Sequence, residues 1–250
     1  MDLLSTAEPD TVRAVLDPAH IHLREHVVRG RHVLPGVVSL DLALRGATGR
    51  HPDVAGIADV TWLRPVLDDE LVLTFRRADY TVTNRGALCG GGTLLLGTPD
   101  RTPAVPLAVR DRICEHSRSH FTRREVYDEF AKMGIDYGPY FRRIGYVQRH
   151  ELLSLAWLSN NDGIQLDLVN LLDCSFQAGM AISIGEHRDS LMPLAMGRMV
   201  FHVPVRPVGS VYVLTEKHSA FRTSFTVYDE DYQPLISVFD LGVKPATLAV

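Results

Sequence analysis

Two stretches of the chain are apolar on nearly every side of a helix, and most of the remainder reads as short strands. The first stretch follows Pro35-Gly36 and runs through Val37, Val38, Leu40, Leu42, Ala43 and Leu44. A helix apolar all round is buried rather than amphipathic. The second runs from Leu171 through Cys174, Phe176 and Ala178 to Ile184; one carboxylate, Asp173, lies near its start, and Gly185 suits its end. Runs rich in β-branched and aromatic residues predict strands at 54–63, 70–77, 79–83 and 88–96. Further strands are predicted at 144–149, 152–158, 196–205, 210–216, 219–228 and 235–243. Turn chemistry separates them at Pro65, Asp68-Asp69, the hairpin-like Asn84-Arg85-Gly86, and Asp229-Glu230-Asp231. Each half is one buried helix followed by several strands, a structural repeat without obvious sequence identity.

The intervening segments carry weaker signals. Residues 1–18 are polar and proline-punctuated and predict little order before Ile21, where Ile21-His22-Leu23 alternates enough for a short strand leading to His26. Arg45 and Gly46 to Gly49 supply a stop for the first helix. Gly90-Gly91-Gly92 has no Lys-Ser/Thr behind it and no helix pattern after it, so a bulge or a close backbone approach is expected rather than a phosphate loop. Residues 98–120, rich in proline, arginine and acidic side chains, read as a linker between halves at 15–97 and 121–245. Thr122 and Glu125 have capping-box spacing and open a helix to about Met133, stopped by Gly134. Tyr137-Gly138-Pro139-Tyr140-Phe141 then reads as an aromatic turn.

Composition narrows the function classes. At 250 residues the chain suits one large domain or two small ones sharing an interface. Its net charge of −4 argues against general nucleic-acid binding, which needs a basic excess or patch. No apolar run reaches the ~20 residues that span a bilayer, and the acidic N-terminus lacks the shape of a signal peptide. Cys89, Cys114 and Cys174 are odd in number and widely spaced, which suggests neither a disulfide framework nor a zinc ribbon. A cytoplasmic protein is expected.

Candidate chemistry begins at His26, Gly30, Pro35 and Gly36, which form the pattern H-x-x-x-G-x-x-x-x-P-G. Gly30 permits a sharp turn after the histidine, and Pro35 suits the first residue of a helix. Gly36 then offers a backbone N–H at the positive end of that helix, where partial negative charge is stabilised. In the second helix Asp173 and Gln177 are spaced i, i+4 and share one face, so the amide can hold the carboxyl in place.

The first motif resembles the active-site segment of the dehydratase domains of polyketide synthases and, less closely, of fatty acid synthases. Asp173-Cys-Ser-Phe-Gln177 resembles that family's D-x-x-x-Q/H signature, and Tyr137-Gly138-Pro139-Tyr140-Phe141 its Y-G-P-x-F stretch. Residues from Val227 to Lys244-Pro245 are similar to its terminal strands, so the resemblance covers roughly 15–245 in the right order. It implies an α+β fold, the double hotdog, in which two fused units each wrap a curved antiparallel sheet around a buried helix. It also implies loss of water from a β-hydroxyacyl thioester to give the α,β-enoyl thioester. His26 would be the base, neutral imidazole being available near pH 7. Asp173 would be the acid, its proton retained because burial disfavours the charge. The Gly36 N–H would polarise the thioester carbonyl, Tyr137 would hold the β-oxygen, and Gln177 would orient Asp173. No metal or cofactor is implied beyond the phosphopantetheine of the acyl carrier protein that bears the substrate. The implied partners are that carrier protein and other synthase domains or subunits; exposed hotdog sheet edges also suit a homodimer, and neither nucleic acid nor a membrane is expected.

One position departs from the family pattern: Val169 stands where a proline usually precedes the aspartate by four residues. Related enoyl isomerase domains, which move the double bond from α,β to β,γ, also often lack that proline, but they generally replace the aspartate, which is kept here. An isomerase and a non-catalytic double-hotdog acyl-binding module are therefore the alternatives. Each residue also has a plainer reading. His26 could be a structural histidine, and His20, His22, His26 and His32 with Glu25 would be an incomplete metal set. Asp173 could be a helix-terminal charge, Gln177 a core hydrogen-bonder, Tyr137 turn packing and Cys174 a small buried filler. Arg76, Arg77, Arg142 and Arg143 read as solvated surface, with docking of an acidic carrier as the sharper option. A chain that begins with Met and carries no ketosynthase, reductase or carrier motif fits a free-standing enzyme and an excised domain alike.

Overall fold

The period-2 runs join into one long antiparallel sheet in the computed structural model, which describes residues 3–5, 10–15, 17–67, 70–98, 100–160, 163, 165–186, 191–204 and 206–245. The front half contributes strands β1 (Leu3–Ser5), β2 (Thr11–Val15), β3 (His26–Val28), β4 (Arg31–His32), β5 (Val54–Trp62), β6 (Glu70–Arg76), β7 (Asp79–Asn84) and β8 (Ala87–Leu96). The back half contributes β9 (Ser119–Thr122), β10 (Ile135–Tyr137), β11 (Ile144–His150), β12 (Leu153–Leu158), β13 (Leu191–Phe201), β14 (Val211–Ser219), β15 (Arg222–Tyr228) and β16 (Pro234–Pro245). The helices are α1 (Ile21–Arg24), α2 (Gly36–Ala47), α3 (Val109–His116), α4 (Arg123–Lys132) and α5 (Leu168–Ala181), with a 3₁₀ turn at Pro139–Phe141.

The large sheet has the order β1-β2-β6-β7-β8-β5-β13-β16-β15-β14-β12-β11-β9. The two halves meet where β5 pairs with β13, with Ile57 opposite Met199. A separate small sheet, β10-β3-β4, joins a strand of the back half to a hairpin of the front half. α2 and α5 are the two buried helices and they touch each other. Val37, Val38, Leu40, Leu42 and Ala43 of α2 are at most 1% exposed, and Leu172, Cys174 and Ala178 of α5 are fully buried, which explains the long apolar runs, while Asp41 and Arg45 pair at 3.1 Å on the one polar edge of α2. Burying one such side chain contributes about 1.5–3 kcal/mol, so these two helices anchor the core.

The expected turns are present. Arg85 and Gly86, at φ 49° and 74°, close the β7–β8 hairpin with the two positive φ angles of a type I′ turn. A Cβ on Gly90 would sit 2.3 Å from the Thr61 carbonyl oxygen, so the glycine run marks a close backbone approach beside the register shift between β5 and β8. The capping box of α4 is closed in both directions by Thr122 and Glu125. Asp68-Asp69 and Val205 lie outside the described residues.

Four expectations need correction. The N-terminal stretch is not without order: β2 alternates Val12 and Ala14 inward with Arg13 and Val15 outward and pairs with β6. Ile21-His22-Leu23 is helical rather than extended, because the His20 ring accepts from the His22 N–H and caps a single turn. The segment 98–120 carries α3, which lays Ile113 on the outer face of the sheet beside Val105, Leu153, Leu155 and Tyr228. Val105 is tied down there by an N–H donated to Thr226 Oγ1 at 3.0 Å and by the Tyr228 hydroxyl donating to its carbonyl at 2.8 Å. Arg143 is fully buried, not solvated; its Nε donates to the Tyr140 carbonyl at 3.2 Å. Arg76, Arg77 and Arg142 are exposed.

Boundaries also moved where capping overrode hydrophobic pattern. α5 starts at Leu168, since the Asp167 side chain accepts from the N–H groups of Val169 and Asn170. Among the described residues no helix is long and apolar enough to cross a membrane.

Candidate active site

The small sheet places the histidine. Arg29 and Gly30 turn the β3–β4 hairpin at φ 50° and 74°, and β3 pairs with β10 so that His26 lies directly opposite Tyr137. Their rings are 5.4 Å apart, edge to face, and the Phe141 ring meets His26 from another side at 5.9 Å. His26 is 9% exposed, and its Nδ1 donates to the Val33 carbonyl at 2.8 Å. A carbonyl only accepts, so the neutral ring carries its proton on Nδ1 and leaves Nε2 as a free base.

The helix α2 supplies the second element. Pro35 is its N-cap rather than its first residue, and Gly36 opens the helix. The first N–H groups of a helix have no intrahelical acceptor, and that of Gly36 is one of them. The Gly36 carbonyl accepts from Trp62 Nε1 at 3.0 Å, and a Cβ at this glycine would lie 2.8 Å from the same indole nitrogen. A side chain here would therefore collide with Trp62.

The helix α5 supplies the carboxyl. Asp173 is 7% exposed, and Gln177, fully buried, donates from Nε2 to Asp173 Oδ2 at 2.8 Å and to the Phe141 carbonyl at 3.0 Å. Burial raises the Asp173 pKa above the usual carboxylate range; the nearby His26 and the Gln177 N–H oppose this but do not cancel it. Cys174 donates to the same Phe141 carbonyl at 3.1 Å and is a packed interior thiol, pushed well above its ordinary pKa by burial.

His26, Gly36, Tyr137 and Asp173 line one largely enclosed cavity of about 40 Å³, together with Phe176 and Met180. Gln177 is outside this lining and stands behind Asp173. Val33, Leu34, Gly36, Met192 and Pro193 are shared with a second cavity of about 180 Å³ that continues past Trp62 to Arg64 and Lys244. The four clustered histidines turn to separate partners: His20 to the His22 N–H, His22 to the Tyr140 hydroxyl, His26 to Val33 and His32 to Leu23. Among the described residues no group of three His, Cys, Asp or Glu is arranged for a metal ion.

Sequence reasoning passed over Tyr127 and Tyr140. Tyr127 lies on α4, where Val126 and Phe130 mark the buried face, and its hydroxyl reaches Gln177 Oε1 at 3.1 Å. Tyr140 donates to Asp167 at 2.7 Å and its oxygen lies 3.2 Å from His22 Nε2. The signal for Tyr127 was helical periodicity; nothing local in sequence points to its partner.

A sheet of this order wrapped around two touching buried helices is a double hotdog. The profile described as polyketide synthase dehydratase domain matches residues 3–82, and that described as polyketide synthase dehydratase N-terminal domain matches residues 110–248. The chain belongs to the polyketide synthase dehydratase family, the hydro-lyases of β-hydroxyacyl thioesters in polyketide biosynthesis. Polyketide synthase PksN of Bacillus subtilis is 27% identical over 202 residues, 70% of this chain. This chain spans only about 4% of that relative's length. Among solved structures, the dehydratase domain of RzxB from Pseudomonas fluorescens superposes with a TM-score of 0.77 at 21% identity, covering 94% of each chain. The dehydratase domain of the CurK module of the Curacin polyketide synthase does so at 0.79 and 18% identity, covering 100% of this chain and 98% of that one. Two further forms of the CurK domain, one with a histidine changed to phenylalanine and one with an aspartate changed to asparagine, are described as inactive.

Proposed function

We propose that His26 and Asp173 are the base and acid that expel water from a β-hydroxyacyl thioester. One observation carries the assignment: both groups, from different halves of the chain, line the same largely enclosed cavity. His26 Nε2 takes the α-proton, and the electron pair left on the α-carbon forms the double bond to the β-carbon. The C–O bond at the β-carbon breaks as Asp173 gives its proton to the departing hydroxyl, which leaves as water. Transfer of the proton from His26 back to Asp173 resets the pair. The Gly36 N–H stabilises the enolate-like oxygen, a contribution of about 3 kcal/mol for one such donor. Tyr137, opposite His26, contacts the β-oxygen. In the CurK domain replacement of a histidine or an aspartate accompanies inactivity, the same pair of residue types.

The substrate is carried on the phosphopantetheine of an acyl carrier protein, within or alongside a polyketide synthase in the cytoplasm, and the steps above need neither metal nor organic cofactor. The halves 15–97 and 121–245 are the two hotdog units. A homodimer belongs to the same reading, through pairing of sheet edges. The test is incubation with a β-hydroxyacyl thioester and mass analysis for loss of one water. No loss across several chain lengths, with folded protein, would support an acyl-binding module instead.

Val169 keeps the isomerase reading in view and also weakens it. Its N–H donates to Asp167 Oδ1 at 2.9 Å, a bond that proline could not make, so the cap does the work of starting the helix. The missing proline thus has a local structural counterpart, while the acid remains. Supplying the α,β-enoyl thioester in heavy water separates the two: deuterium at the γ-carbon that survives Asp173→Asn would mean isomerisation by His26 alone.

A further inference from the structure

We propose that Tyr127 is a positioning residue for the acid: it fixes the Gln177 amide so that the NH₂ group, not the carbonyl, faces Asp173. The inference rests on Asp173 being the acid. The Tyr127 hydroxyl is fully specified by its surroundings. It accepts from the Ile144 N–H at 3.1 Å, so its one hydrogen is shared between Gln177 Oε1 at 3.1 Å and the Phe141 carbonyl at 3.2 Å. Gln177 Oε1 thereby has a donor, and Nε2 has two acceptors in Asp173 Oδ2 and Phe141 O. A flipped amide would set its oxygen against the Phe141 carbonyl, which can only accept, and against Asp173 whenever its proton has been given up, and would leave the Tyr127 hydroxyl facing an NH₂ group. Only one orientation satisfies every group.

This orientation decides which oxygen of Asp173 is the acid. Oδ2 accepts the amide N–H, so the proton is favoured on Oδ1, leaving Oδ2 as the anchored oxygen. The chain Ile144 N–H to Tyr127 to Gln177 to Asp173 is buried throughout, where hydrogen bonds polarise one another. Titratable groups facing Asp173 are His26 from β3, Tyr137 from β10, Tyr127 from α4 and Cys174 on its own helix, with Arg143 beyond Cys174. Among the described residues, only Tyr127 of these groups hydrogen-bonds Gln177 Oε1.

The experiment is the pH dependence of kcat/KM for the folded chain, whose alkaline limb reports loss of the acid's proton. Tyr127→Phe frees the amide, the carboxylate loses a fixed donor, and the alkaline limb moves up by roughly half to one pH unit while kcat falls roughly three- to tenfold. In a Gln177→Met background the same change should shift the limb no further, which a purely structural tyrosine would not ensure. Should Tyr127→Phe fail to fold, 3-fluorotyrosine at 127 keeps the shape and strengthens the donor, moving the limb downward by a few tenths. An unmoved limb in the folded variant, or an equal shift with and without Gln177, overturns the inference. Asp173→Asn separates the two claims: if it stays active the acid is misassigned, whereas an inactive Asp173→Asn with an unmoved Tyr127→Phe profile refutes only the role of Tyr127.

Discussion

His26 and Tyr137 face each other across the β3–β10 ladder with their rings 5.4 Å apart, although one belongs to the front half and the other to the back. The small sheet is therefore the joint that registers the two halves at the candidate site. The Glu25 carbonyl extends it by accepting the Gly138 N–H at 2.8 Å, and the Glu25 carboxylate accepts the Tyr140 N–H at 2.6 Å. Backbone pairing, rather than a flexible side chain, sets where His26 sits against Tyr137.

Replacing His26 by Ala or Asp173 by Asn should each lower kcat/KM roughly 10²- to 10⁴-fold. The double variant should be little worse than either single one, because the two groups act as a unit. Rates of water loss from a β-hydroxyacyl thioester check this, with circular dichroism confirming the fold. Additive losses would mean that the two residues serve separate steps.

Asp173→Asn should also change how stability depends on pH. Burial raises the native pKa of Asp173, so its contribution is fully present below the unfolded value of about 3.9 and is lost as pH rises through the native value. The asparagine variant has no charge to bury, and its stability should gain on the wild type as pH increases. Urea unfolding at several pH values measures this; parallel curves would show that the carboxyl is hydrated in the native state.

Gly36→Ala should disturb both packing and binding. The added methyl would lie 2.8 Å from Trp62 Nε1, so the indole must leave its hydrogen bonds to the Gly36 carbonyl and Ser39 Oγ. Overpacking of this kind typically costs about 1–3 kcal/mol. Trp62 lines the larger cavity, and its displacement should raise KM more than it lowers kcat. A variant with unchanged stability and kinetics would show that Trp62 yields freely.

Much of this architecture was readable because burial leaves a periodic trace. The helices α2 and α5 are apolar over most of their surface, and the strands from β5 to β8 alternate or run apolar between clear turns. Where the structure departed, a few polar contacts outweighed pattern. The helical turn at Ile21 depends on the His20 ring, and the start of α5 on the Asp167 carboxylate. α3 is short, and only Ile113 is buried, with Val109 packed partly beside it, so its periodicity was too weak to see. Arg143 reads as surface by type, yet it is packed in the core behind the Y-G-P-x-F turn. Within the site, His26, Gly36 and Asp173 stand at motif spacings, whereas Tyr127 meets Gln177 across 50 residues and only the fold brings them together.

The same burial makes His22 an acid-sensitive point of the fold. Its Nε2 lies 3.2 Å from the Tyr140 hydroxyl, whose proton goes to Asp167, so Nε2 donates and Nδ1 is the site left to protonate. Nδ1 has no hydrogen-bond partner among the described residues, and the His20 ring packs against it edge-on at 4.5 Å. Desolvation first, and the charge of His20 second, lower the His22 pKa from 6.5 to about 4, with Asp167 opposing. A depressed native pKa contributes stability that is present above the unfolded value and lost as pH falls through it toward the native one. The window is therefore about pH 6.5 down to 4, and the loss amounts to about 3 kcal/mol at ~1.4 kcal/mol per pH unit. His22→Gln keeps a donor toward Tyr140 and cannot titrate. Urea midpoints for the two proteins should run together above pH 7 and separate below 6, with the wild type falling faster. If instead the wild type keeps pace with the glutamine variant down to pH 4, His22 is protonated in the native fold, and the contact with Tyr140 must be of another kind.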